Sequence, residues 1–114
     1  MAPDCLFCKI IAGDIPAEIV FRDDQLIAIR DINPVAPVHL LLLPIRHIAS
    51  VAEAQAADAG LLGALDLAAV RLAAEAGLAR GYRLVINTGA DGGQSVSHLH
   101  LHLMGGRALR WPPG

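Results

Sequence analysis

Three of the chain's five histidines, His98, His100 and His102, occupy every second position of "SHLHLHLM", residues 97–104. Alternation is the period of a β-strand, whose successive side chains point to opposite faces. The segment therefore reads as a strand with a histidine face and a leucine face, Leu99, Leu101 and Leu103 supplying core. An ordinary solvated face would sooner carry Lys, Glu or Thr. Imidazole offers two chemistries, metal ligation and, when neutral, nucleophilic attack. One metal ion is a poor match for all three rings, because alternate strand positions are about 7 Å apart and the outer pair about 13 Å. At least one histidine is left for other work, and the central one is well placed for attack on phosphorus.

The segment is fed by "GADGGQS", residues 89–95. Adjacent glycines let a backbone turn tightly and aim several N–H groups at one spot, which suits an anion. The loop lacks the Lys and the following Ser/Thr of a P-loop. Taken alone it is a surface turn. Ahead of three histidines, and with Ser95 beside them, it becomes a place where backbone donors, a hydroxyl and imidazoles can hold a phosphate without lysine. That fits a chain with a single lysine, Lys9. A second constellation is Cys5-x-x-Cys8, which has the spacing of a zinc knuckle. A redox reading needs a preceding strand, for which five residues leave no room. The plainer alternative is two small buried thiols.

Several elements must position these groups. Cys5 to Ala12 reads as a short helix closed by Gly13. "EIVFRDDQLIAIRDI" reads as a hairpin turning at Asp23-Asp24, and "NPVAP" as a proline-punctuated loop. "VHLLLLP" is a strand with His39, Leu41 and Leu43 on one face. Asp58 to about Arg80 is the one long helix, with Leu61, Leu65, Ala68, Leu72 and Ala76 near one face. "YRLVIN" is a further strand, and the tail after residue 105 is irregular. Strands, then a helix, then strands indicate an α+β fold on a mainly antiparallel sheet.

At 114 residues the chain is expected to form one domain, residues 1–114. Its hydrophobic share is 54% and its mean hydropathy +0.50. Both exceed what a domain this size covers by itself, so a homo-oligomer, most simply a two-fold dimer, is expected. A formal charge of −2 argues against nucleic acid as a partner. The start "MAPDCLFCKIIAGD" lacks the pattern of a signal peptide, and "PVAPVHLLLLPI" is too short and too broken to cross a bilayer. A cytoplasmic protein with reduced cysteines is the expectation.

"HLHLHLM" resembles the H-x-H-x-H-x-x signature of the histidine triad (HIT) nucleotide-binding proteins. "FCKIIAGDIPAEIVFRDD", "DINPVAPVHLLLLPIRH" and "NTGADGGQSV" are similar to the family's N-terminal region, central segment and phosphate loop, and "GGRALRWPPG" to the ending of its Hint branch. The resemblance implies a five-stranded antiparallel sheet with one long and one short helix. It also implies a homodimer with a continuous ten-stranded sheet, joined across the long helix and "YRLVIN". The implied activity is hydrolysis of purine nucleoside 5′-phosphoramidates, releasing AMP or GMP from an amine. A non-catalytic nucleotide-binding dimer and a dinucleoside polyphosphate hydrolase are the alternatives, and "WPPG" speaks against the second.

Carried over residue by residue, the resemblance makes His100 the nucleophile, forming a nucleotidyl-histidine intermediate that water hydrolyses. His102 donates to the phosphate oxygens, while His39 and His98 belong to the same catalytic cluster, His39 orienting it. Ser95 and the backbone near Gly93 and Val96 hold the phosphate and leaving group, with Asn87 and Gln94 at the edge. Asp31 grips the ribose hydroxyls, a carboxylate being a natural acceptor for a diol. Phe7, Ile10, Ile29, Ile32 and Leu41 form the slot for the base, and Trp111 reaches toward the partner's site. In a nucleotidyl-transferring branch of the superfamily, and in some bacterial triad proteins, a Cys-x-x-Cys pair joins two histidines, here His47 and His98. The resemblance thus implies a closed, structural zinc site of Cys5, Cys8, His47 and His98. Two departures stand out: Ser97 replaces an aromatic residue common before the triad, and Ile29 replaces Phe in some relatives.

Overall fold

The computed structural model describes residues 4–114. Five strands, β1 (Ile19–Arg22), β2 (Leu26–Arg30), β3 (Val38–Pro44), β4 (Tyr82–Val85) and β5 (Leu101–Gly105), form one sheet in the order β1-β2-β3-β5-β4. Every neighbouring pair is antiparallel. Two α-helices accompany them, α1 (Leu6–Ala12) and α2 (Ala59–Glu75), with short 3₁₀ turns at Val51–Glu53 and Ala56–Asp58. The expected α+β architecture, with one long and one short helix, is the one observed.

Alternation gives the central strands two faces, and both are covered. Leu26, Ala28, Leu40, Leu42, Leu101 and Leu103 pack on Leu65, Ala68, Ala69, Leu72 and Ala73 of α2. On the opposite face Ile27, Ile29, Leu41 and Leu43 pack on Phe7, Ile10 and Ile11 of α1. This is why β3 reads as a nearly unbroken apolar run, with His39 as its one polar interruption. The α2 helix also anchors the end of β3, because Arg46 pairs with Asp58 just before the helix. The hairpin turns where expected: the Asp23 carboxylate accepts from Gln25 N (2.8 Å) and Leu26 N (2.9 Å), which closes the β1–β2 connection.

Several boundaries differ from the sequence reading, the simplest being that β4 ends at Val85 and leaves out Ile86 and Asn87 of "YRLVIN". Cys5 is the N-cap of α1, its Sγ accepting from Cys8 N at 3.3 Å, so the helix proper begins at Leu6. The long helix stops at Glu75, five residues before Arg80. Gly77 has φ 75°, and the N–H groups of Gly77 and Leu78 return to Ala74 O (3.1 Å) and Ala73 O (3.0 Å). That left-handed glycine closes the helix, and Leu78 folds back into the core while Ala76 stays exposed. Finally, the histidine segment is a strand only from Leu101 onward. Upstream of it His98 N donates to Val96 O (2.8 Å) and Leu99 N to Ile48 O (2.7 Å), so the chain is tied to the segment after β3 before the ladder begins. Side-chain alternation survives this change: Leu99 joins the α2-side core and the imidazoles face α1.

Candidate active site and adjoining metal centre

His39 on β3 lies opposite Met104 of β5, and Leu41 opposite His102. His39 and His102 are therefore diagonal neighbours on the α1-side face, the arrangement that lets long side chains meet across two strands. His39 Nε2 lies 2.9 Å from His102 Nδ1 and 3.4 Å from the Asp31 carboxylate. The proton can be located. Val35 N–H donates to His39 Nδ1 (3.2 Å), so that nitrogen holds a lone pair and Nε2 carries the hydrogen. His39 Nε2–H then donates to His102 Nδ1, and the hydrogen of His102 sits on its outer Nε2.

His100 has the complementary arrangement. Its Nδ1–H donates to the carbonyl of His98 at 2.7 Å, leaving the Nε2 lone pair free. Its ring lies 5.0 Å from that of His102 and 5.1 Å, edge-on, from Phe7. A nucleophilic nitrogen and a donor N–H thus stand side by side. Burial holds His102 neutral, with its pKa lowered to about 4; the neighbouring His100 and His39 push the same way and Asp31 opposes them. Burial also lowers the pKa of His39, against the pull of Asp31. Donor atoms of Asp31, His39 and His102 fall within 4.8 Å of one another. With the proton on His39 Nε2 fixed by Val35, this group is a hydrogen-bonded relay.

His98 turns the other way. Its Nε2–H donates to Pro44 O at 2.8 Å, which aims the Nδ1 lone pair at Cys5 Sγ (3.3 Å), Cys8 Sγ (3.6 Å) and His47 Nδ1 (3.2 Å). Cys8 Sγ lies 3.3 Å from His47 Nδ1. A tetrahedral zinc ion, with bonds of about 2.0–2.1 Å to nitrogen and 2.3 Å to sulfur, would set its ligands roughly 3.3–3.8 Å apart. The donor pairs just given lie 3.2–3.6 Å apart, close to this range, all four donor atoms fall within 4.8 Å of one another, and the cysteines and His98 are buried. The group can hold a metal ion. Burial lowers the pKa of His98, with His47 and His100 adding to the effect and the Pro44 hydrogen bond opposing it. The ring is thereby kept in its neutral, ligating form.

The glycine loop is held by Gln94. Its Oε1 accepts from Gly89 N (3.0 Å), and its Nε2 donates to Ala49 O (2.7 Å) and Val96 O (2.9 Å). Gly93 has φ 78°, and a Cβ on Gly92 would lie 2.3 Å from Thr88 O, so both glycines are required by the turn. Gln94 is thus a staple inside the loop. Ser95 is exposed, and Asn87 and Val96 are half-buried. Phe7, Ile10, Ile29 and Leu41 are brought together in the α1-side cluster with Val96 packed against them, whereas Ile32 is 89% exposed. Asp31 is half-buried and also forms the turn into "NP", accepting from Asn33 N at 2.8 Å. Trp111 is 82% exposed. The sequence reading missed Pro44, Val35 and the His98 carbonyl, which set the three imidazole tautomers. A backbone group acts here by position alone, so residue type carried no signal for it.

The comparisons agree with this geometry. The family described as "Scavenger mRNA decapping enzyme C-term binding" matches residues 4–109. An uncharacterized HIT-like protein of Synechococcus elongatus is 54% identical over 100% of both chains. A HIT family hydrolase from Legionella pneumophila Philadelphia 1 superposes with a TM-score of 0.96 at 51% identity, over 97% of this chain and 100% of that one. A HIT family hydrolase from Clostridium thermocellum gives 0.93 at 45% identity, over 96% of each. With the family match spanning most of the chain and the triad in place, this protein has the fold of the HIT family hydrolases and belongs to the HIT family.

Proposed function

We propose that the protein is a hydrolase of the Hint type, cleaving the P–N bond of purine nucleoside 5′-phosphoramidates through a nucleotidyl-histidine intermediate. The observation that carries this reading is the tautomer of His100, whose Nδ1–H is spent on the His98 carbonyl (2.7 Å) so that Nε2 is free to attack. In the first step Nε2 bonds to the α-phosphorus, the P–N bond breaks, and the amine leaves with a proton taken from solvent, which the attacking water of the second step gives back. In the second, water attacks the same phosphorus and releases the nucleoside monophosphate, restoring His100. Splitting the displacement in two lowers each barrier. The outward Nε2–H of His102 meets the phosphate oxygens where charge accumulates. Ser95 and the loop backbone at Gly93 and Val96 hold the phosphate, with Asn87 at its edge. Asp31 takes the ribose, and Phe7, Ile10, Ile29, Ile32 and Leu41 take the purine.

Two further elements belong to the proposal. Zinc on Cys5, Cys8, His47 and His98 would be structural, with no open position, pinning α1 to the start of the triad segment. A homodimer would extend the sheet through β4, an edge strand in this structure that carries exposed Tyr82 and Leu84, with exposed Ile86 just beyond it and Leu67 and Val70 on α2. That would also carry Trp111 toward the partner's site. No α-helix among the described residues is long and apolar enough to cross a membrane.

The deciding experiment is incubation with a ³²P-labelled adenosine phosphoramidate and rapid acid-free quench. Acid-labile label on His100 together with AMP release is the expected result. Absence of both would leave a non-catalytic nucleotide binder. Faster turnover of a diadenosine polyphosphate than of the phosphoramidate would move the protein to the polyphosphate hydrolases.

A further inference from the structure

We infer that Arg107 is a positioning residue for the catalytic histidines, acting through the backbone of Val35; the inference rests on the hydrolase reading above. Arg107 follows β5, in the turn that leaves the sheet. Its Nη2 donates to Val35 O at 2.8 Å and its Nη1 to Ala108 O at 3.0 Å. The same Val35 residue donates its N–H to His39 Nδ1 at 3.2 Å. His39 Nε2–H in turn meets His102 Nδ1 at 2.9 Å. A cation outside the triad is therefore linked to His102 by three consecutive hydrogen bonds, two of them made by a single loop residue.

The turn is built to deliver the guanidinium there. Gly106 has φ 95°, and a Cβ at that position would lie 2.9 Å from Pro37 Cβ, so the chain rests directly on the loop that carries Val35. The Val35 N–H belongs to the peptide from Pro34 and its carbonyl to the peptide into Ala36, so keeping the N–H on His39 requires that something hold the Val35 backbone torsions. A charge-assisted hydrogen bond to its carbonyl does so.

The consequence is chemical. While Val35 N–H occupies His39 Nδ1, the hydrogen of His39 must sit on Nε2, and His102 must present its own hydrogen outward. If the Val35 backbone rotates and its N–H leaves His39 Nδ1, that nitrogen can take a proton from water. His39 Nε2 then passes its proton to His102 Nδ1, His102 Nε2 releases its own to water, and His102 faces the phosphate with a lone pair. That inversion removes a donor aimed at developing negative charge and leaves the ribose and base contacts alone. Its cost falls on kcat and spares KM.

The test uses full-length protein with ¹⁵N-labelled histidine, comparing wild type with Arg107→Ala and Arg107→Lys. Long-range ¹H–¹⁵N spectra report the protonated nitrogen of each ring. In wild type, His39 and His102 are expected as single Nε2–H tautomers. In R107A both signatures should average, and kcat for an adenosine phosphoramidate should fall about five- to tenfold with KM held within about twofold. R107K, which keeps one cationic donor, should recover most of both. Unchanged tautomers in R107A overturn the inference, whether or not kcat falls, since Arg107 would then act elsewhere or not at all. Should wild type fail to turn over the phosphoramidate, the hydrolase reading fails by itself, and the tautomer spectra still decide the role of Arg107. Should R107A not fold, the neutral Arg107→Gln carries the same readout.

Discussion

Two clusters of imidazoles sit within a few residues of each other and are built in opposite senses. In the Cys5, Cys8, His47, His98 group every donor atom turns inward to one point. In the His39, His100, His102 group the nitrogens are set by hydrogen bonds to backbone and to each other, and His100 Nε2 is left with a free lone pair. The contrast is sharpest between His98 and His100, two residues apart. The first gives its Nε2–H to Pro44 O and keeps a lone pair on Nδ1; the second gives its Nδ1–H to the His98 carbonyl and keeps a lone pair on Nε2. One ring thereby offers a lone pair to the four-donor group, and the other keeps the lone pair that the proposed reaction would use as nucleophile. The side chain is the same, and a backbone carbonyl on one nitrogen or the other assigns the task. The two clusters are also joined, because His98 contributes its ring to one and its carbonyl to the other.

The hardest way to break this comparison is at His100. His100→Ala should lower phosphoramidate turnover by roughly 10³-fold or more, equivalent to several kcal/mol of barrier. AMP affinity should stay within about tenfold, since the proposed ribose and base contacts remain. Steady-state kinetics and calorimetric titration check this, and a variant retaining more than a few per cent of the wild-type rate would falsify the nucleophile assignment.

The metal-side counterpart is Cys8→Ser, which removes one of the four converging donors. Wild-type protein purified without chelator or polyhistidine tag should hold one zinc per chain by mass spectrometry. The variant should hold little, and should melt roughly 5–10 °C lower. Its loss of turnover should be smaller than that of H100A, since the His98 carbonyl still orients the nucleophile. A metal-free wild type whose Tm does not rise when zinc is added back would separate the clusters altogether.

The smallest effect distinguishes the clusters by acid. With the pKa of His102 at about 4 against an ordinary 6.5, the unfolded chain takes up a proton that the folded site refuses between those values. Stability is therefore expected to fall as pH drops from about 6.5 toward 4, and to rise again on the return. His39, also lowered by burial, adds in the same direction. Melting curves of wild type and His102→Gln across this range check the sign. The variant should show the shallower slope, and equal slopes would mean that His102 titrates as a free histidine. His100, His39 and Asp31 face His102 in both proteins, so the difference isolates the one ring.

Much of this was legible in the sequence because periodicity is a local property. The alternation in "HLLLL" and "HLHLHL" put His39 and His102 on one face and the leucines on the other, and the structure keeps that division. The Cys-x-x-Cys spacing announced half a ligand set for a similar reason: positions three apart fall on one side of a helical turn. Boundaries were less legible. Gly77 closes α2 where the apolar pattern seemed to continue to Arg80, because a single left-handed residue outweighs a favourable helix composition.

The tautomers could not be read from the chain at all. The alternation decided that the triad imidazoles would stand on the face opposite their leucines, and the Cys-x-x-Cys spacing that two thiols would stand together. Only the tertiary structure decided that Pro44 O meets one nitrogen of His98, that the His98 carbonyl meets the other kind of nitrogen in His100, and that Val35 N–H meets His39. Backbone donors and acceptors are alike at every residue but proline. Which of them stands within 3 Å of a given ring nitrogen is fixed by strand register and loop path, and no side-chain identity encodes it.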